Sequence, residues 1–277
     1  MDSLGEDLVL LSIRPDNGTV ATKSSLGYGL RGSELVRLAA SGRVGITGGR
    51  IVVQDGQPTG DEQLDAALAS LAGARRPPRP KTWVGHPGSQ IVDIYLARLA
   101  AAGGIREDRR TLLGFIPARR WVVADSARLA DARARLDAIA RATGPVDTAQ
   151  AAFAGLASAS GLGPVLYPGW ANRQLRQRLE RIAKGELTQG AGATEATQAA
   201  TQAARDAAAR SAVESATDAA VQSATDAATQ AATDAATAAA TQAATHAAVA
   251  AAVHAAHHAA SDGGHGGHGG GGGGGHH

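Results

Sequence analysis

The sequence predicts a mainly α-helical protein: a compact helical bundle with one or two short β-hairpins, followed by an Ala-rich helical or disordered tail. Apolar residues recur at helical spacing through most of the first 187 residues. Short β-rich runs interrupt that pattern twice. Composition then changes abruptly, because every Phe, Tyr, Trp, Leu and Ile lies at or before Leu187. These features divide the chain into a helical domain over 1–187, an Ala/Thr-rich low-complexity tail over 188–262, and a Gly/His-rich disordered end over 263–277.

Residues 6–13, EDLVLLSI, fit either a buried helix or a short strand. Asp16-Asn17-Gly18 signals a turn. GLRGSELVRLAASGRV, from Gly29 to Val44, predicts a helix from about Leu30 to Gly42, where glycine can take the left-handed conformation that ends a helix. RVGITGGRIVVQDG reads as a hairpin about Gly48-Gly49. Asp61 is placed to cap a helix through Leu64, Leu68 and Leu71. GARRPPRPKTW predicts an extended, Pro-locked loop. Pro87-Gly88-Ser89 opens a helix with Ile91, Ile94, Tyr95, Leu96 and Leu99 on its inner side, ending at Gly103-Gly104. IREDRRTLLGFIPARRWVVAD suggests the second hairpin, and helical patterns over 125–142, 147–160 and 170–184 complete the bundle.

In the tail, Thr or Val recurs every four residues from Thr217 to Val253 among alanines. Alanine is the best helix former, so residues 193–260 fit a solitary helix on the order of 100 Å long. A four-residue period drifts about 40° per repeat, and methyl groups bury little area, so no strong coiled-coil seam is expected. His254, His257 and His258 share a helical face, but no carboxylate or Cys accompanies them, and adventitious metal binding is the expected reading.

Residues 1–187 carry 25 Lys and Arg against 18 Asp and Glu, a net +7, and the remainder two against seven, a net −5. A basic globule suits an anionic surface, lipid headgroup or nucleic acid. The absence of Cys excludes disulfides and thiolate chemistry. No basic leader and no run of 18 apolar residues occurs, so a cytoplasmic protein touching a membrane at most peripherally is expected. No Walker loop, nucleophile elbow, HExxH or paired catalytic carboxylate is found, and no enzymatic activity or cofactor is expected.

Arg31 stands out, since Leu35 and Leu38 fall within about 40° of it on the helix. A guanidinium on an apolar stripe needs an acceptor. A phosphate would serve through two charge-assisted bonds, and Glu34, three residues on, would serve from within. Arg119, Arg120 and Trp121 fit either a membrane-facing hairpin tip or a Trp tucked under the helices. Arg133 and Arg135 fit headgroup ligands or a solvated face, and Lys23 adds charge.

EDLVLLSIRPDNGTV, GLRGSELVRLAASGRV, PTGDEQLDAALASL and YLARLAAAGGIREDRRTLLGF, in this order and spacing, resemble the Golgi phosphoprotein 3 family, which has bacterial, mainly actinobacterial, members. The resemblance covers about residues 5–184 and implies a mainly helical fold that binds phosphatidylinositol 4-phosphate on a basic membrane-facing surface. It implies that Arg31, in Gly-Leu-Arg-Gly, is the pocket arginine, and that Arg135 is the first basic residue of a later helix. The family tryptophan's place falls near Thr22 and Lys23, and the second basic position is Ala138; Trp121 is the candidate replacement for the tryptophan. Residues 161–170 occupy the place of the family's apolar hairpin, with Val165, Leu166 and Tyr167 as membrane contacts.

The expected function is therefore peripheral binding of an anionic phospholipid, a phosphoinositide or phosphatidylinositol, centred on Arg31 with Arg135, Arg119, Arg120, Arg133 and Lys23 in support. Composition rich in Ala, Gly and Arg points to a high-GC bacterium. Two rivals stand beside this: a winged-helix-like unit over 88–124 touching the DNA backbone, weakened because its helix lacks base-reading side chains, and a helical adaptor that oligomerises through its tail.

Overall fold

A computed structural model describes residues 3–112, 116–188 and 194–262. Two units are distinguished, residues 1–214 and 215–277. The first contains α1 (Leu4–Ser12), α2 (Lys23–Ala40), the hairpin β1 (Val44–Thr47) and β2 (Arg50–Val53), α3 (Glu62–Ala72), α4 (Pro80–Val84) and α5 (Ile91–Ala101). The hairpin β3 (Ile105–Leu112) and β4 (Ile116–Val123), α6 (Ser126–Arg141), α7 (Thr148–Ala159), α8 (Leu162–Leu166) and α9 (Arg173–Ala183) follow. The last helix, α10 (Thr194–Asp262), begins in this unit. Mainly helical architecture with two short antiparallel hairpins is thus the observed class.

The ambiguous segment 6–13 is helical, because α1 is apolar on nearly every side and lies at the centre of the core, with Leu8, Val9 and Leu10 fully buried. A glycine lets a neighbour in close: a methyl on Gly5 would sit 2.5 Å from Cε1 of Tyr95. The next helix, α2, starts at Lys23, well before the expected Leu30, since Leu26 also faces the core. Gly29 and Gly32 lie one turn apart on α2, and a methyl on Gly29 would fall within 3.2 Å of Cβ of Ser160, just past α7. A methyl on Gly32 would meet Leu156 Cδ2 at 2.7 Å and Ala204 of α10 at 3.7 Å.

The β1–β2 register pairs Thr47 with Arg50 across Gly48-Gly49, both at positive φ as a tight hairpin requires. Asp61 caps α3 as expected, accepting from the backbone N–H groups of Gln63 and Leu64. The Pro-rich loop is only partly extended, because Pro80 at the first turn starts the short α4 that carries Trp83 into the core. On α5 the expected inner face holds for Ile91, Tyr95, Leu96 and Leu99; Ile94 is the exception, at 39% exposed. In β3–β4, Glu107 pairs with Trp121 and Asp108 with Arg120. The structure corrects the hairpin reading of 161–170: Leu162–Leu166 forms α8, and Tyr167 is buried with its hydroxyl donating to Asp137 Oδ1 at 2.5 Å.

The compact unit also extends past the expected boundary at 187. Ala196, Ala200, Ala203, Ala204 and Ala207 of α10 are buried, and Thr201 lies where a methyl on Gly155 would meet it at 2.8 Å. Small residues on both sides allow this approach without large side chains. In the second unit the described side chains are exposed, and the helix satisfies its own polar groups: Thr225, Thr229 and Thr233 donate to the carbonyl four residues back, and Gln222 and Gln230 to Asp226 and Asp234. His254 is exposed, while the side chains of His257 and His258 and the Gly/His-rich end lie outside the described residues.

Ion pairs tie the helices together. Asp61 accepts from Arg98 at 2.6 Å and from Arg37 at 2.9 Å, and Glu6 accepts from Arg98 at 3.4 Å and Arg128 at 2.5 Å. Burial alone would raise the Asp61 carboxyl, but the hydrogen bonds from Arg98 and Arg37 outweigh it and hold the group well below the usual carboxylate range. Asp61→Ala should cost roughly 2 kcal/mol of stability at pH 7, from the lost cap and charged hydrogen bonds. Because the folded pKa is depressed, the deficit should be complete above pH about 4 and should shrink as pH falls further, which denaturant melts of both proteins at several pH values check.

Candidate functional site

Arg31 projects from α2 onto Trp83 of α4, its Cζ 4.4 Å from the ring centre. Its Nη1 donates to Glu34 Oε2 at 2.8 Å, so the internal partner is the one realised. Glu34 is fully buried, and its other oxygen accepts from Gln63 Nε2 at 2.7 Å. Burial pushes the Glu34 carboxyl up, and Arg31 and Gln63 offset this only in part. Arg31 Nε has no partner among the described residues. The side chain lines an open cleft of about 350 Å³ together with Gln63, Ser70, Ser89 and Gln90, at the N-terminal end of α5. The aromatic partner of Arg31 is thus neither a residue near Thr22 nor Trp121, but Trp83, which lies 52 positions away and gave no local signal.

The other expected ligands do not gather around Arg31. Arg135 is bound to buried Asp7 at 2.5 Å and stacks on Phe153, so it serves the ion network at α1. Lys23 pairs with Asp93 at 3.1 Å, and exposed Arg119 with Glu107 at 3.3 Å. Arg133 spans Asp137 and the Leu166 carbonyl and lies over the Tyr167 ring. Tyr167 is core, Val165 and Leu166 are half-buried on α8, and the exposed aromatic residue there that the sequence reading missed is Trp170, at 82% exposed. Its turn is braced by Arg176, whose Nη1 donates to the carbonyls of Tyr167 and Gly169.

Four of the expected residues do meet elsewhere. Arg120, Trp121, Arg133 and Leu166 line a second cavity, of about 660 Å³, between the 13–18 loop, the β3–β4 hairpin, α6 and α8. Its wall is mostly apolar, with Leu11, Ile13 and Leu129 contributing, and Arg14 and Arg120 stand there without an ion pair among the described residues. Gly18, at φ +67, closes one side: the Trp121 N–H donates to its carbonyl at 2.8 Å, and a methyl there would lie 2.8 Å from the Trp121 carbonyl oxygen.

The fold is thus a helical bundle in which arginines line two open concavities, and no described helix is long and apolar enough to cross a membrane. The model of one family, Golgi phosphoprotein 3 (GPP34), matches residues 4–207, and the chain belongs to that family, for which lipid binding is the general association. The match reaches into α10, in agreement with the burial of its first turns. Comparison with curated proteins gives no match.

Gly18→Ala should destabilise the protein by roughly 1–3 kcal/mol, through both the left-handed backbone and the contact with Trp121. Gly42→Ala, at φ +71 with nothing within 4 Å, should cost less, about 1 kcal/mol. Equilibrium unfolding of the two variants checks the order.

Proposed function

We propose that the protein is a peripheral membrane protein that binds the anionic headgroup of a phospholipid, phosphatidylinositol 4-phosphate-like, at the Arg31 cleft. The observation that carries this reading is that Arg31, its Cζ 4.4 Å from the Trp83 ring centre, spends one hydrogen bond, from Nη1, on Glu34 while its side chain lines an open polar cleft. A phosphate oxygen in the cleft would meet the remaining Nη donors of Arg31, the hydroxyls of Ser70 and Ser89, and the N-terminal end of α5. Family membership supports the same reading. The role is recruitment to a cytosolic membrane face, with no chemical step.

Glu34 competes with the lipid for Arg31, so its protonation state sets the affinity. Its raised pKa means that the competing charge is lost at a higher pH than for an ordinary glutamate. Flotation of the full chain with neutral phosphatidylcholine vesicles and with vesicles containing phosphatidylglycerol, phosphatidylinositol or phosphatidylinositol 4-phosphate tests the reading. Anionic vesicles should recruit the protein and neutral ones should not. Arg31→Ala should weaken recruitment at least about tenfold, the loss of one charge-assisted phosphate contact. With phosphatidylglycerol, whose diester stays ionised, wild-type binding should strengthen as pH falls, and Glu34→Gln should bind more tightly and lose that dependence. Association indifferent to lipid charge, or unchanged in Arg31→Ala, would overturn the proposal.

A further inference from the structure

The cavity walled by the β3–β4 hairpin, α6 and α8 is separate from the Arg31 cleft and shares no lining residue with it. Its volume, about 660 Å³, lies within the range of small-molecule sites, roughly 300–1,000 Å³. Apolar surface dominates the interior, through Leu11, Ile13, Leu129 and Leu166 and the Trp121 ring. Arg133 is already engaged with Asp137 and the Leu166 carbonyl and acts as part of the wall. Arg14 and Arg120 are different: both line the cavity, and neither makes an ion pair among the described residues.

We propose that this cavity binds a single-chain anionic amphiphile, its aliphatic chain against Leu11, Ile13, Leu129 and Leu166 and its carboxylate or phosphate on Arg14 and Arg120. An open apolar hollow favours a chain, since each methylene removed from water contributes about 0.8 kcal/mol. Two guanidinium groups at its edge favour an anionic head. Asp16 lines the same cavity, so a monoanionic head is favoured over a polyphosphorylated group, which it would repel. The same chemistry comes from a fatty acid or from a lysophospholipid, and the two sources differ in the head that must fit between Arg14 and Arg120.

Native mass spectrometry and calorimetry of the full chain with oleate, lysophosphatidylglycerol, lysophosphatidylcholine and glycerol phosphate, each below its micelle concentration, test the proposal. Oleate or lysophosphatidylglycerol should bind one to one, and the more tightly bound of the two identifies the source; glycerol phosphate, lacking a chain, should not bind. Lysophosphatidylcholine should bind at least tenfold more weakly. Ala130→Trp, at an exposed position on the cavity wall, should block binding, and Arg120→Ala should weaken it at least tenfold, both with wild-type unfolding curves. Arg31→Ala should leave it unchanged, which separates this site from the headgroup cleft. Absence of binding by both anionic amphiphiles, equal binding of lysophosphatidylcholine, or binding undiminished by Ala130→Trp would overturn it.

Discussion

The close approach of α2 to the end of α7 is the constraint on which the rest of the unit depends. Gly29 and Gly32 have no room for a methyl group, because Ser160, Leu156 and the start of α10 lie against them. Interiors are packed to crystal density, and helices meet this closely only where side chains are missing from one surface. The glycines of Gly-Leu-Arg-Gly therefore serve helix packing, while the arginine between them faces another side of α2, toward Trp83 and α3. One short motif thus does two jobs, and the first holds the second in place: with α2 seated against α7, Arg31 lies over Trp83 and Glu34 is sealed in the core.

The charge count has a similar double meaning. A net positive globule suggests a basic face, yet Arg37, Arg98, Arg128 and Arg135 are committed to Asp61, Glu6 and Asp7. These pairs connect α1, α2, α3, α5 and α6, so much of the arginine excess holds helices to each other. Few arginines then line the two concavities: Arg31 in its cleft, and Arg14, Arg120 and Arg133 at the larger cavity. These arginines are thus local to concavities, in contrast to a broad basic plane.

Most of the fold was legible in the sequence, because its signals are local. Asp61 as a cap, Gly48-Gly49 as a tight turn and the periodicity of α3, α5, α6 and α7 each depend on residues within a few positions of each other. The site was legible only in part, because its partners are distant in sequence. Arg31 and its alternative acceptor Glu34 lie on one helical turn and could be paired on paper; Trp83 could not, since α4 is a five-residue helix inside a Pro-rich stretch. Arg135 looked free because its acceptor, Asp7, is on a segment that read equally as strand or helix. Sequence alone puts the domain end at 187 because Ala and Thr carry little hydrophobic signal, whereas the first turns of α10 bury them against glycines, where small size is the requirement.

The most direct test of this account is the equilibrium stability of Gly29→Ala and Gly32→Ala, measured beside their recruitment to anionic vesicles. Overpacking of the helix contact predicts a loss of about 1–3 kcal/mol in each variant, reduced by the roughly 1 kcal/mol that alanine gains over glycine within a helix. Variants as stable as the wild type that nonetheless fail to bind lipid would contradict it, since the glycines would then be keeping backbone open for the ligand.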